Sequence, residues 1–287
     1  MGKPVNSRSQ QQTSATALDE AAVTALPPAP GPVDKAMEVL SALAETGAPH
    51  RLADLARRTG LAKPTVHRLL RALAAGGYAE PAAGGSYRPG PRLLGLAAGV
   101  LADDAATRRA GPVLEELRIR TGLFASYAVR DDRTLVHLCV HAPAQGPALD
   151  LRPGTREPVT AGAPGLALLA ALPAADTETL LTGPDGAPVD GATRTALAAA
   201  ARDGYAFDGA DPWRERRALA APVRDAAGRP VGVLVLAGLA FTLDEAAARL
   251  YGPMVRSAAA AVSASLAAQP GGRLGLVADP DRGTGRK

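Results

Sequence analysis

Apolar residues recur along the first third of the chain with the period of amphipathic helices. Val33, Ala36, Met37, Leu40, Leu43 and Ala44 form one stripe and predict a core helix over 33–44. Leu52, Leu55 and Ala56 follow at i, i+3, i+4 spacing, then Val66, Leu69, Leu70 and Leu73 at i, i+3, i+4, i+7. Two short helices are expected, broken at Thr59-Gly60-Leu61. Gly60 suits a left-handed helix end, and Leu61 plugs the angle between the helices. Pro64 fits the first position of the second helix, where its missing N–H costs nothing. Beyond Gly76-Gly77, Tyr78 opens an extended piece, 81–85 is turn-rich, and Ser86-Tyr87-Arg88 returns as a second short strand. The 91–106 segment carries Leu93, Leu94, Leu96, Ala97, Val100 and Leu101 in a helical array. Such an exposed apolar linker helix packs against a second copy of itself, so a dimer is expected.

From residue 108 onward, helices and strands alternate. A helix over 108–121 turns Val113, Leu114, Leu117 and Ile119 inward, and strands over 123–129 and 134–141 flank the turn 130–133. A polar loop (150–158), a short helix (165–171) and a helix over 193–203 ended by Gly204 come next. Paired strands over 219–224 and 231–239 precede a long closing helix over 242–267, with Thr242 as N-cap and Glu245 completing a capping box. The fold class is α+β: an N-terminal winged helix-turn-helix domain (33–90), a linker helix (91–107) and a GAF-like α+β domain with a six-stranded sheet (108–268). Residues 1–32, rich in Gln, Ser, Thr, Ala and Pro, and 269–287 read as disordered tails.

Charge sharpens this picture. Between Arg51 and Arg92 there are eight Lys/Arg against two acids, an excess of six in a chain whose whole net charge is +4. The second helix of the motif gathers Pro64, His67, Arg68 and Arg71 on its polar face, with Lys63 and Thr65 at its N-terminal end. An ordinary helical hairpin with a solvated basic face would share the pattern. The concentration of charge favours a helix that enters the major groove of duplex DNA. Lys63, Thr65, His67, Arg68 and Arg71 are its contact candidates, and Arg88 with the hairpin tip would lie along the phosphates or the adjacent minor groove.

The stretch RLADLARRTGLAKPTVHRLLRALAAGGYAE…SYRPGPRLLGLA resembles the DNA-binding domain of IclR-family transcriptional regulators. Matching positions include Ala56, Gly60, Leu61, Lys63, Thr65, Val66, His67, Arg68, Leu69, Leu70, Gly77, Tyr78, Tyr87, Arg88, Gly90 and Arg92; Pro64 stands where the family has Ser. EPVTAGAPGLALLAALP and DGYAFDGADPWRERRALAAPVRDAAGRPVGVLVLAG resemble that family's effector-binding domain, so the likeness spans about 33–268. It implies an effector site at Thr160, the amides of Ala161, Gly162 and Ala163, and Asp208, Ala218, Val235 and Ala237. Ala218, Val235 and Ala237 replace a thiol and two hydroxyls of members with small polar acids as effectors, while Thr160 and Leu166 replace a His and a Lys. A pocket so altered rejects glyoxylate- or pyruvate-like acids and favours a larger, more apolar effector.

Other chemistries are excluded or weak. His137, Cys139 and His141 alternate along one strand face, but the outer two lie about 13 Å apart, too far for one tetrahedral ion, so they read as core or edge-strand residues. Gly162-Ala163-Pro164-Gly165 offers amides at a helix start without the Lys-Ser/Thr of a phosphate loop. Asp208 and Asp211 lack an activated nucleophile or base partner, and Trp213 is a pocket wall or a surface plug. No catalytic or metal site and no cofactor is expected. The single cysteine fits a reducing cytoplasm, and no segment reads as a signal peptide or membrane span. The expected function is an operator-binding regulator, acting as a homodimer or dimer of dimers and answering to a small organic effector. The alternative is a small-molecule-binding or enzymatic sensor whose helix-turn-helix makes protein contacts.

Overall fold

The computed structural model describes residues 31–45, 48–145, 149–182, 190–209 and 215–268. The expected tails, apart from 31–32, and Asp211 and Trp213 lie outside these residues. The chain divides into two units at Gly90/Pro91.

In the N-terminal unit α1 (Pro32–Ala44) is followed by β1 (His50–Arg51), α2 (Leu52–Thr59), α3 (Lys63–Ala75), β2 (Ala79–Ala82) and β3 (Ser86–Pro89). The three strands form an antiparallel sheet in the order β1-β3-β2. Val39, Leu43, Leu55, Val66 and Leu70 are fully buried between the helices. Val33 and Met37 are instead exposed, because α1 meets its neighbours through Val39, Ala42 and Leu43, one turn further along. Gly60 ends α2 in the left-handed conformation (φ 66°), as expected. Pro64 is the second residue of α3, behind Lys63. At two residues, β1 is too short to leave a pattern in the sequence.

The C-terminal unit opens with α4 (Pro91–Asp103) and α5 (Ala105–Thr121), separated at Asp104, whose carboxylate accepts from the Thr107 N–H at 2.7 Å and caps α5. The linker helix therefore stops at Asp103. After it come β4 (Phe124–Asp131), β5 (Thr134–His141), β6 (Arg156–Pro158), α6 (Gly162–Leu169), α7 (Ala174–Thr182), α8 (Gly191–Asp203), β7 (Ala206–Phe207), β8 (Arg216–Arg224), β9 (Pro230–Leu239) and α9 (Glu245–Ala268). These strands form one antiparallel six-stranded sheet in the order β6-β5-β4-β9-β8-β7. One face packs on α5 and α9 through Leu114, Leu117, Val255 and Val262; the other packs on α6 and α8 through Ala163, Ala167, Leu168 and Ala200. Ile119 points to solvent, leaving Leu114 and Leu117 to anchor α5. Asp244, not Thr242, caps α9 by accepting from the Ala247 N–H at 2.8 Å, while the Thr242 hydroxyl donates to the Leu239 carbonyl. Among the described residues no helix is long and apolar enough to cross a membrane.

A bulge in β5 corrects the reading of the His-Cys-His run. Tyr127 faces Cys139 but Ala128 faces His137, so Leu138 is the extra residue. His137 is thereby turned to the α6 face, while Cys139 stays with Tyr127 on the α5/α9 face.

Candidate nucleic-acid interface and effector site

The burial of Val66, Leu69, Leu70 and Leu73 fixes the roll of α3 and leaves Lys63, Pro64, His67, Arg68 and Arg71 exposed, with Thr65 half-buried. The Thr59 hydroxyl donates to the Leu55 carbonyl and accepts weakly from the Leu61 N–H at 3.4 Å, holding the turn between the helices. The cations around this face divide into two sets. Arg57 pairs with Asp54 at 2.8 Å and Arg58 with Glu45, and Arg88 donates to Glu80 through Nε (2.9 Å) and Nη2 (2.7 Å) across the β2–β3 hairpin. Lys63, Arg68 and Arg71 have no ion-pair or hydrogen-bond partner among the described residues. The first turn of α3 also has no side-chain cap, so its amides and positive dipole end face outward. Arrangements of this kind suit a polyanion: cations not already neutralised, on a rigid helix, beside an uncapped N-terminus.

In the C-terminal unit, Asp208 joins three of the segments singled out from the sequence. Its Oδ1 accepts from the Ala218 N–H at 2.6 Å and its Oδ2 from the Ala163 N–H at 3.4 Å. Ala218 faces Ala237 across β8 and β9, and Val235 faces Ala220, so Ala218, Val235 and Ala237 form a buried apolar patch on the α6 face of the sheet. α6 sits close to this region because Gly165 lets the Val159 carbonyl approach; a Cβ at 165 would lie 2.1 Å from that oxygen. Ala161 and Gly162 are half-buried and Thr160 is exposed. A groove of about 420 Å³ lined by Leu166, Ala200, Tyr205, Phe207 and Arg249 lies to one side and does not include Ala218, Val235 or Ala237.

The same sheet face carries polar residues that the sequence assigns to no site, His137 reading there as a core or edge-strand residue. Ser126 lies opposite Val235 and is fully buried; its hydroxyl is 2.9 Å from His137 Nδ1. His137 is 1% exposed, and its Nε2 makes no hydrogen bond but lies 3.5 Å from Glu157 Oε1. That same oxygen accepts from Arg216 Nη2. Burial pushes the Glu157 carboxyl up, but His137 and the bonded guanidinium of Arg216 outweigh it and hold the group at about 2. Neighbouring strands lie about 4.8 Å apart, so in a flat sheet β6 and β8 would stand about 19 Å from one another. The contact between Glu157 and Arg216 therefore requires a curled sheet, with the two strands approaching over its inner face.

Comparison with known proteins agrees with both units. Residues 32–82 match the family model for the IclR helix-turn-helix domain, and residues 99–264 match that for the bacterial transcriptional regulator IclR C-terminal domain. The glycerol operon regulatory protein of Streptomyces griseus is 33% identical over 229 residues, covering 76% of this chain and 89% of that protein. The HTH-type transcriptional regulator XynR of Escherichia coli is 28% identical over 242 residues, covering 82% of this chain and 96% of that one. A crystal structure of an IclR homologue from Microbacterium hydrocarbonoxydans complexed with 4-hydroxybenzoate shares the fold, with a TM-score of 0.69 and 24% identity over 83% of this chain and all of that one. With both of its units matched and unneutralised cations along α3, the chain belongs to the IclR family of DNA-binding bacterial transcriptional regulators.

Proposed function

We propose that this protein binds a specific operator through α3 and that a small organic effector in the C-terminal unit sets its DNA affinity. The observation that carries the first half is the freedom of Lys63, Arg68 and Arg71 while neighbouring arginines are paired. Arg68 and Arg71 read base edges, Lys63, Thr65 and His67 position α3 on the backbone, and Arg88 reaches a phosphate by exchanging Glu80 for it. The reading of the helix-turn-helix as a protein-contact module is disfavoured because a face of unpaired cations matches phosphates better than an apolar partner surface.

The second half rests on the inner face of the sheet, where Ala218, Val235 and Ala237 offer methyl groups but no side-chain donors. An effector there is larger or more apolar than glyoxylate or pyruvate, and it acts by its differential affinity for the DNA-competent and incompetent states. A structural neighbour holds 4-hydroxybenzoate, which makes small aromatic compounds the first probes to try. Assembly as a homodimer or dimer of dimers uses α4, which buries none of its residues and exposes Leu94, Leu96 and Val100. The protein acts in the cytoplasm, where its operator lies. The deciding experiment is binding of the purified protein to the intergenic DNA upstream of its own gene at two salt concentrations. Specific, salt-dependent binding is expected; equal affinity for operator and unrelated DNA would refute the reading.

A further inference from the structure

Ser126, His137, Glu157 and Arg216 come from four different strands and meet on the face that bears Ala218, Val235 and Ala237. They form an ordered chain of polar atoms. The negative charge of Glu157 beside Nε2 favours the tautomer with the ring hydrogen there, so Nδ1 accepts from the Ser126 hydroxyl. The chain is incomplete at one end. Nε2–H makes no hydrogen bond, Oε1 standing 3.5 Å away, and Glu157 spends only Oε1, leaving Oε2 without a partner among the described residues. Asp208 contrasts with it, since both its carboxylate oxygens already accept backbone amides.

We propose that this network is the polar end of the effector site and that it selects a neutral hydroxyl. The effector is an alcohol or phenol with an apolar body, whose O–H donates to Glu157 Oε2 and whose oxygen accepts from His137 Nε2–H. This rests on the reading that the effector lies on the inner face of the sheet. The two unused positions decide the class. A carboxylate brings no donor for Glu157 Oε2 and would stand against an ionised carboxylate, and an ammonium brings no acceptor for His137 Nε2–H. A hydroxyl brings one donor and one acceptor and no charge, matching the two unused positions. Arg216, with about a third of its side chain exposed, forms the outer wall through which such a ligand enters.

The test is calorimetry with para-cresol and its methyl ether, which share an apolar body but differ in the ability to donate. Wild-type protein should bind the cresol about tenfold or more tightly than the ether, because a site built for a hydroxyl is left unpaired by the analogue. Glu157→Met and His137→Phe should bring the two affinities together while retaining the fold by circular dichroism. Equal affinities in the wild type, or no binding of the cresol at millimolar concentration, overturns the proposal without requiring any variant. Ala218→Leu separates this from the underlying reading, since it fills the inner face. If it abolishes binding of both compounds and the wild type fails to discriminate, the site stands and only the hydroxyl falls. If it leaves cresol binding intact, the site itself is misplaced and both ideas fall.

Discussion

Replacing Glu157 by Gln keeps the shape of the side chain and removes the charge that holds Arg216 and faces His137. In the native state the carboxyl titrates near 2, against 4.5 for the unfolded glutamate. That difference corresponds to about 3 kcal/mol of native-state stability at neutral pH. Arg216 retains access to water and recovers part of its solvation when its partner is lost, which lowers the expected cost to about 2–3 kcal/mol. In a unit of this size such a loss shifts the melting temperature by about 5–10 °C. The pH dependence provides the sharper test. Below 4.5 the unfolded chain takes up a proton that the native carboxylate still refuses, so the wild type loses its advantage as pH falls through the window from 4.5 to about 2. Urea denaturation of the full chain should show the whole gap between wild type and Glu157→Gln near neutrality and only a fraction of it near pH 3. A gap that is absent, or equally large at both pH values, would show that the contact with Arg216 does not hold the carboxylate in its charged form.

Arg68→Ala and Arg71→Ala should each weaken operator binding by about 1–3 kcal/mol and relax sequence preference, read by fluorescence anisotropy on operator and single-base variants. An unchanged affinity in the folded double variant would exclude α3 as the reading element. Lys63→Ala should weaken all DNA sequences alike and reduce the slope of log affinity against log salt by about one. Leu94→Glu on α4 should shift the sedimentation coefficient toward that of the monomer at micromolar concentration; an unchanged assembly would move the interface elsewhere. Gly165→Ala places a methyl group against the Val159 carbonyl and should cost more than about 1 kcal/mol in thermal stability, with DNA contacts untouched.

What could be read from the sequence depended on how local its cause was. The buried stripe of α3 and the left-handed Gly60 depend on neighbours within two turns, and both stand where the periodicity put them. Val33 and Met37 share the apolar period of α1, but the rotation of that helix is set by α2 and α3, which no local pattern records. For α9 the cap is Asp244 and not Thr242, because the Thr242 hydroxyl is spent on the Leu239 carbonyl in the turn that leaves β9 and the helix starts two residues later, at the stronger capping residue. The inner-face network was hidden for two reasons. Glu157 and Arg216 are far apart in sequence and meet only because the sheet curls, and the bulge at Leu138 reverses the face parity that would have grouped His137 with Cys139. Asp208, by contrast, was identified through family resemblance, although its role in tying Ala163 to Ala218 emerged only from the geometry.

The six-stranded sheet ends on both sides in fragments: β6 has three residues and finishes in Pro158, and β7 has two. Such margins give an incoming strand almost no ladder to extend, and a proline removes one of the donors it would need. Growth of the sheet from copy to copy is thereby discouraged, despite a core made largely of alanine, valine and leucine. The assembly proposed through α4 would instead use a helical surface, where contact is side chain to side chain and leaves the backbone pairing of each subunit alone. A regulator that assembled in that manner could exchange partners without exposing the adhesive edge that turns a reversible assembly into an aggregate.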